Sequence, residues 1–123
     1  MEPWALVAER NDSLAGMLER ALCFEGFRVS RVRETPGVHE ELDKRSFELI
    51  FIDSSFTAQD GMESSLLGWS SSGQATVVLL ADDVSQEVAR RAVEIGAKRL
   101  LPRSVGEVEF RLFLKSVLAG STF

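Results

Sequence analysis

The sequence predicts an α/β fold, a five-stranded parallel sheet with five helices on both faces. Three observations predict it. Short apolar runs alternate with amphipathic runs along the whole chain. Strand-like runs such as Trp4 to Ala8 are continuously apolar rather than alternating, as in strands covered on both faces. The connections are short, and an alternation of this kind packs helices against a parallel sheet. With 123 residues, 45% of them apolar, the chain is long enough to build one core without a metal or a disulfide. The expected organisation is a single domain over 1–123, with 118–123 as a tail or the start of a linker.

Each element has its own signal. Trp4 to Ala8 is the first strand. Asn11, Asp12 and Ser13 offer N-caps for a helix whose Leu14, Met17, Leu18, Ala21 and Leu22 recur at helical spacing, and Gly26 stops it. Phe27 to Val32 alternates and reads as a strand nearer the edge. Thr35-Pro36 reads as a cap followed by a first-turn proline, opening a short helix through Leu42. Phe47 to Ile52 is the third strand, and Met62 to Trp69 a weakly patterned third helix that ends by the Ser70 to Gly73 loop. Ala75 to Ala81 carries the strongest strand signal. Val84, Val88, Ala92 and Ile95 form a helical stripe closed by Gly96, with Asp82-Asp83 as its cap. Lys98 to Leu101 is a short fifth strand. Ser104 caps the last helix, with Val108, Leu112 and Phe113 predicted inward, and the pattern fades at Gly120.

In open parallel sheets ligands sit beyond the carboxyl ends of the strands, where the strand order reverses. Glu9, Asp53 and Asp82-Asp83 fall at those tips. In the run LIFIDSSF, Asp53 ends an otherwise apolar strand. It is either a cap on a loop or a reactive carboxylate held at the lip of the sheet.

Composition excludes several classes. A net charge of −5 and a pI of about 4.9 repel a phosphate backbone, so direct nucleic-acid binding is not expected. No apolar run approaches the ~20 residues that span a bilayer. The N-terminus has too short an apolar core for a signal peptide, and the lone Cys23 fits a reducing compartment, so a cytoplasmic location is expected. Dinucleotide, Walker and G-x-S-x-G patterns do not occur, so no enzyme activity is expected. His39 lies among Glu40 and Glu41 on a polar helix face and reads as a solvated side chain; Cys23, near Phe24, reads as a small packed or half-exposed residue.

Three segments carry a resemblance. ALVAERNDSLAGMLERALCFEGFRV resembles, without a gap, the first strand, helix and Gly-aromatic turn of a response regulator receiver domain of the chemotaxis type; IDSSFTAQDG resembles its phospho-accepting Asp at the family's distance from the Asp-Gly pair, and VEIGAKRLLPRS its Gly-Ala turn with fifth strand. The resemblance runs from Ala5 to about Leu118. It implies the flavodoxin-like strand order 2-1-3-4-5, places Asp53 at the phosphoacceptor position, and puts Glu9, Arg10, Leu80, Ala81 and Arg103 around it, with Leu100 at the switch position.

Receiver chemistry uses an acidic pair that holds Mg²⁺ with the acceptor Asp, a Thr or Ser on strand four, a Lys-Pro after strand five, and an aromatic in strand five. Here these become Glu9-Arg10, Leu80, Arg103-Ser104 and Leu100. Arg10 stands at a metal-ligand position with a charge it cannot lose. An Arg103-Ser104 bond is expected trans, since cis would cost ~3 kcal/mol. Asp53 is expected to be held by arginine, and no cofactor is expected; were Mg²⁺ bound, Glu9, Asp53 and the backbone of Ser55 would supply oxygens. A register slipped to use Asp12 as a ligand breaks the match of the first helix.

The resemblance therefore implies a degenerate receiver, or pseudo-receiver, acting in two-component-type signalling as a phosphorylation-independent interaction module. Its partner would be a signalling protein or a second copy, through the face of helix four, strand five and helix five. Two alternatives remain open. One is an atypical receiver phosphorylated on Asp53 by a histidine kinase, the other a small-ligand or flavin-binding α/β domain.

Overall fold

The computed structural model describes residues 2–58, 62–71, 73 and 75–120. Among them the order of elements is β1 (Trp4–Ala8), α1 (Asp12–Phe24), β2 (Arg28–Val32), α2 (Thr35–Lys44), β3 (Leu49–Asp53), α3 (Met62–Ser71), β4 (Thr76–Ala81), α4 (Gln86–Glu94), β5 (Arg99–Pro102) and α5 (Glu107–Leu118). A short 3-10 helix, Ser54–Ala58, follows β3 directly. The sheet is wholly parallel, as the sequence pattern predicts, with the order β2-β1-β3-β4-β5 that the resemblance implies. The Asp60-Gly61 pair lies outside the described residues.

Every residue of β3 is buried, and the pleat divides its side chains between two cores. Leu49 and Phe51 join Ala5, Val7, Val78 and Leu101 beneath α1 and α5. Ile50 and Ile52 join Leu6, Val77 and Leu79 beneath α2, α3 and α4. An aromatic group anchors α5: the Phe51 and Phe110 rings meet edge to face at 5.4 Å, and Phe113 stacks on Phe110 at 6.2 Å.

Helix ends obey local chemistry, and several differ from expectation. Asn11 caps α1, its side chain accepting from the amide of Leu14 at 2.9 Å. Gly26 follows with φ +93°, a conformation open to glycine and costly for other residues. Thr35 is the first helical residue of α2 rather than its cap; Glu34 occupies that place in extended geometry, and Pro36 still falls in the first turn. Ser85, not Asp82-Asp83, caps α4, so Val84 lies outside the helix and is exposed. Gly106, not Ser104, precedes α5, and Glu109 folds back onto its amide at 3.2 Å. Of the residues predicted inward, Phe113 does pack against the core beneath α1 and α5. Phe110 and Leu114 point inward, while Val108 and Leu112 are 72% and 63% exposed.

α4 stands apart from the other helices. Within it only Ala92 is buried, with Ile95 buried at its C-cap. Its outer surface carries the i,i+4 pairs Glu87–Arg91 and Arg90–Glu94. The peptide bonds of the described residues are all trans, Arg103-Ser104 included. Among the described residues no helix is long and apolar enough to cross a membrane.

Helix α2 is tied to the edge strand β2 by one polar contact. Ser30 Oγ donates to Glu41 Oε1 at 2.7 Å. That bond, opposed by burial and helped by Arg45 and Lys44, holds the Glu41 carboxyl below its ordinary range. A depressed carboxyl contributes stability above its unfolded pKa and loses it as pH falls through the folded one. Ser30→Ala should therefore lower unfolding free energy by about 1 kcal/mol at pH 7, and the difference should vanish in acid below the carboxylate range. Urea denaturation across that pH interval checks this; an equal deficit at every pH would show that the hydroxyl acts by packing alone.

Candidate functional site

The candidate site is the crevice at the carboxyl ends of β1, β3, β4 and β5. Ladder hydrogen bonds carry the strand geometry one residue past two of these ends: Glu9 N donates to the Val32 carbonyl at 3.2 Å, and Arg103 N to the Ala81 carbonyl at 2.8 Å. Because side chains alternate along a strand, Glu9 continues the series Ala5, Val7; Asp53 continues Leu49, Phe51; and Arg103 continues Leu101. All three series face α1 and α5. Three charged groups are thereby brought over the same end of the same core.

Arg103 is the centre of the arrangement. Its Nε and Nη2 donate to Glu9 Oε1 and Oε2 at 2.8 and 2.6 Å, a two-pronged fork, and its Nη1 donates to Asp82 Oδ1 at 2.8 Å. The Glu9 side chain is fully buried (0% exposed), and Asp82 is largely solvated. Hydrogen bonding to the Glu9 carboxylate, opposed by burial and joined by Asp82, raises the Arg103 pKa above its already high ordinary value. The guanidinium is thus a permanent cation in this crevice. Glu9 Oε2 also accepts from the amide of Asn11 at 2.9 Å.

Asp53 ends β3 directly beside Leu80 of β4 and is 8% exposed. Its Oδ2 accepts from Ser55 Oγ at 2.7 Å, and its Oδ1 lies 3.7 Å from Arg103 Nε, an ion pair too long to be a hydrogen bond. The expected arginine hydrogen bond is therefore supplied by a serine hydroxyl, because Arg103 spends its donors on Glu9 and Asp82. Arg10, expected among the carboxylates, turns outward. Its Nη1 donates to Ser55 Oγ at 2.6 Å, its guanidinium lies 4.2 Å from the centre of the buried Phe56 ring, and its Nη2 stands 3.7 Å from Glu34 Oε2. It reaches Asp53 only through Ser55.

The remaining predicted residues fall as follows. Leu80 and Ala81 are buried at the tip of β4, so the position beside Asp53 offers no hydroxyl. Leu100 is half-buried and packs with the core under α2, α3 and α4, the opposite side from Arg103. Ser104 is exposed, and so is Cys23. Sequence reasoning missed the burial of Glu9 and the side-chain role of Ser55. The first had a faint signal, since a carboxylate continuing a buried series needs a partner; the second had none.

The residues present do not fit a bound divalent cation. Mg²⁺ needs free carboxylate oxygens in near-octahedral array. Here both Glu9 oxygens accept from Arg103, and a guanidinium stands against the Asp53 carboxylate. Among the described residues no group of three His, Cys, Asp or Glu side chains is placed to hold a metal.

No family model and no curated protein matches the sequence. Solved structures do match. A response regulator from Thermotoga maritima superposes with a TM-score of 0.79 at 15% identity, over 97% of this chain and 99% of that one. The signal receiver domain of an HD domain-containing protein from Pseudomonas fluorescens Pf-5 gives 0.79 at 19% identity, over 98% and 97%. A response regulator from Burkholderia pseudomallei, with a phosphorylated aspartic acid, a calcium ion and citrate, gives 0.73 at 23% identity, over 98% of this chain and 67% of that one. The sheet order, the helices on both faces and these superpositions agree, and the fold is that of the response regulator receiver domains.

Proposed function

We propose that the chain is a degenerate receiver, one domain over 1–123, that serves two-component-type signalling as an interaction module independent of phosphorylation at Asp53. The observation that carries this reading is the Arg103 fork on Glu9. A receiver that phosphorylates its aspartate needs a metal to offset charge on the incoming phosphoryl oxygens. In this crevice a tethered guanidinium occupies the carboxylate that would bind it. The similar Burkholderia protein has both a phosphorylated aspartic acid and a calcium ion; here Leu80 is a further departure, so β4 offers no hydroxyl beside Asp53 to meet such a group.

The role left to such a domain is binding. Its partner is a signalling protein or a second copy, met through α4, β5 and α5. That face exposes Val93, Val108 and Leu112 among charged residues, and a groove of about 350 Å³ runs along it past Leu101, Pro102 and Phe113. Exposed apolar side chains within a charged surround suit a contact that is partly apolar and oriented by charge. No catalytic role is assigned to the domain.

The test is a titration with Mg²⁺ and then beryllofluoride, followed by amide NMR shifts. The expected result is no saturable response at Glu9, Asp53 or Arg103. A Mg²⁺-dependent response that Asp53→Asn abolishes would replace this reading with a working aspartyl switch.

A further inference from the structure

We propose that Ser55 is a phosphoryl-accepting residue of this crevice; the proposal rests on the reading that Asp53 is not the acceptor. The Ser55 hydroxyl sits between a base and a cation. Its Oγ donates to Asp53 Oδ2 at 2.7 Å and accepts from Arg10 Nη1 at 2.6 Å. Asp53 is buried and fixed, with its second oxygen beside Arg103, whereas Ser55 is exposed at the mouth of the crevice. The reachable oxygen is therefore the hydroxyl, and the carboxylate lies behind it. A hydroxyl paired with a carboxylate of this kind is the arrangement of an activated oxygen nucleophile.

The surroundings suit a phosphoryl group without a metal. Arg10 is held in place by Phe56 and supplies planar donors for phosphate oxygens. The donor class that fits is a phosphoramidate, whose leaving nitrogen is already protonated and needs no acid from this site. Ser55 Oγ forms the new O–P bond. The P–N bond breaks, and its electron pair leaves on the nitrogen as a neutral amine. The hydroxyl proton passes to Asp53 Oδ2 and from there to water. The product is a phosphomonoester carrying about −1.5 to −2 charge at pH 7. It would compete for Arg10 with Glu34, which stands only 3.7 Å away and is mostly solvated. Since Glu34 is the residue that opens α2, modification would be felt at the start of that helix.

The experiment is incubation of the intact chain with potassium phosphoramidate in EDTA, read by intact mass and peptide mapping, then treated with hydroxylamine. The expected adduct is one phosphoryl group on the Ser55 peptide. It forms without Mg²⁺, survives hydroxylamine as a serine ester should, and is absent in Ser55→Ala. Asp53→Asn, with its fold checked by circular dichroism, should form it on the order of 10²-fold more slowly through loss of the base. Absence of any adduct, or an adduct that persists in Ser55→Ala, overturns the inference and leaves the interaction-module reading standing. In a parallel incubation with Mg²⁺ in place of EDTA, a hydroxylamine-labile adduct on Asp53 overturns both.

Discussion

Arg103→Ala should lower unfolding free energy by about 3–5 kcal/mol, because it strands a buried carboxylate. The Glu9 side chain has no exposed surface, and two of its hydrogen bonds come from Arg103. Truncation leaves the amide of Asn11 as its remaining donor. Asp82 loses a partner too, but at 81% side-chain exposure water replaces the guanidinium at little cost. Arg103→Lys should fall between wild type and alanine, since an ammonium cannot reproduce the fork. The pair Glu9→Leu with Arg103→Met removes both charges, and by the usual behaviour of buried ion pairs should restore most of the loss. Urea denaturation at pH 7 of the single variants and the pair measures this. A deficit under about 1 kcal/mol for Arg103→Ala would mean that water reaches Glu9 and replaces the lost donors.

The second large effect is a gain. Arg10→Asp alone should not create a Mg²⁺ site, although it restores an acidic pair in the sequence. Arg10 is not the cation among the carboxylates; Arg103 is, and in that variant its fork on Glu9 remains. Arg10→Asp with Arg103→Lys should bind Mg²⁺ at least tenfold more tightly than Arg10→Asp, a difference of about 1.4 kcal/mol. Capture of beryllofluoride should require Leu80→Thr as well, because Leu80 lies beside Asp53 in the sheet and is fully buried. That hydroxyl would cost about 1–3 kcal/mol while it lacks a partner. Calorimetric titration of the three variants decides the matter. Tight Mg²⁺ binding by Arg10→Asp alone would mean that the fork opens readily.

The sheet was legible in the sequence because β1, β3 and β4 are short apolar runs, β2 alternates as an edge strand does, and the connections are short. Residues such as Phe51 and Val78 announce burial by composition alone. Helix faces were harder to read. At α5 the residue before the helix is Gly106 rather than Ser104, and of the predicted stripe Phe113 packs on the core whereas Val108 and Leu112 face solvent and Phe110 points inward. Ser85 displaced Asp82-Asp83 for the same reason: several polar residues lie before the helix, and only chain geometry selects the one that reaches the open amide. In the crevice, the resemblance placed the residues, but their partners follow from reach. Arg103 and Glu9 are 94 positions apart. Nothing local distinguishes that pairing from the alternatives, Arg103 with Asp53 or Arg10 with Asp53. The choice is made by which side chain the pleat aims at which neighbour.

The thin anchoring of α4 has a consequence for motion. A helix that buries one of its own residues can detach without exposing much of either core, whereas α1 buries four and α5 carries Phe110 and Leu114. Its amides should exchange with deuterium through brief local opening, while those of β1, β3 and β4 wait for the whole molecule to unfold. A partner that recruits α4 can then reorient one surface helix at small energetic expense and leave the sheet undisturbed.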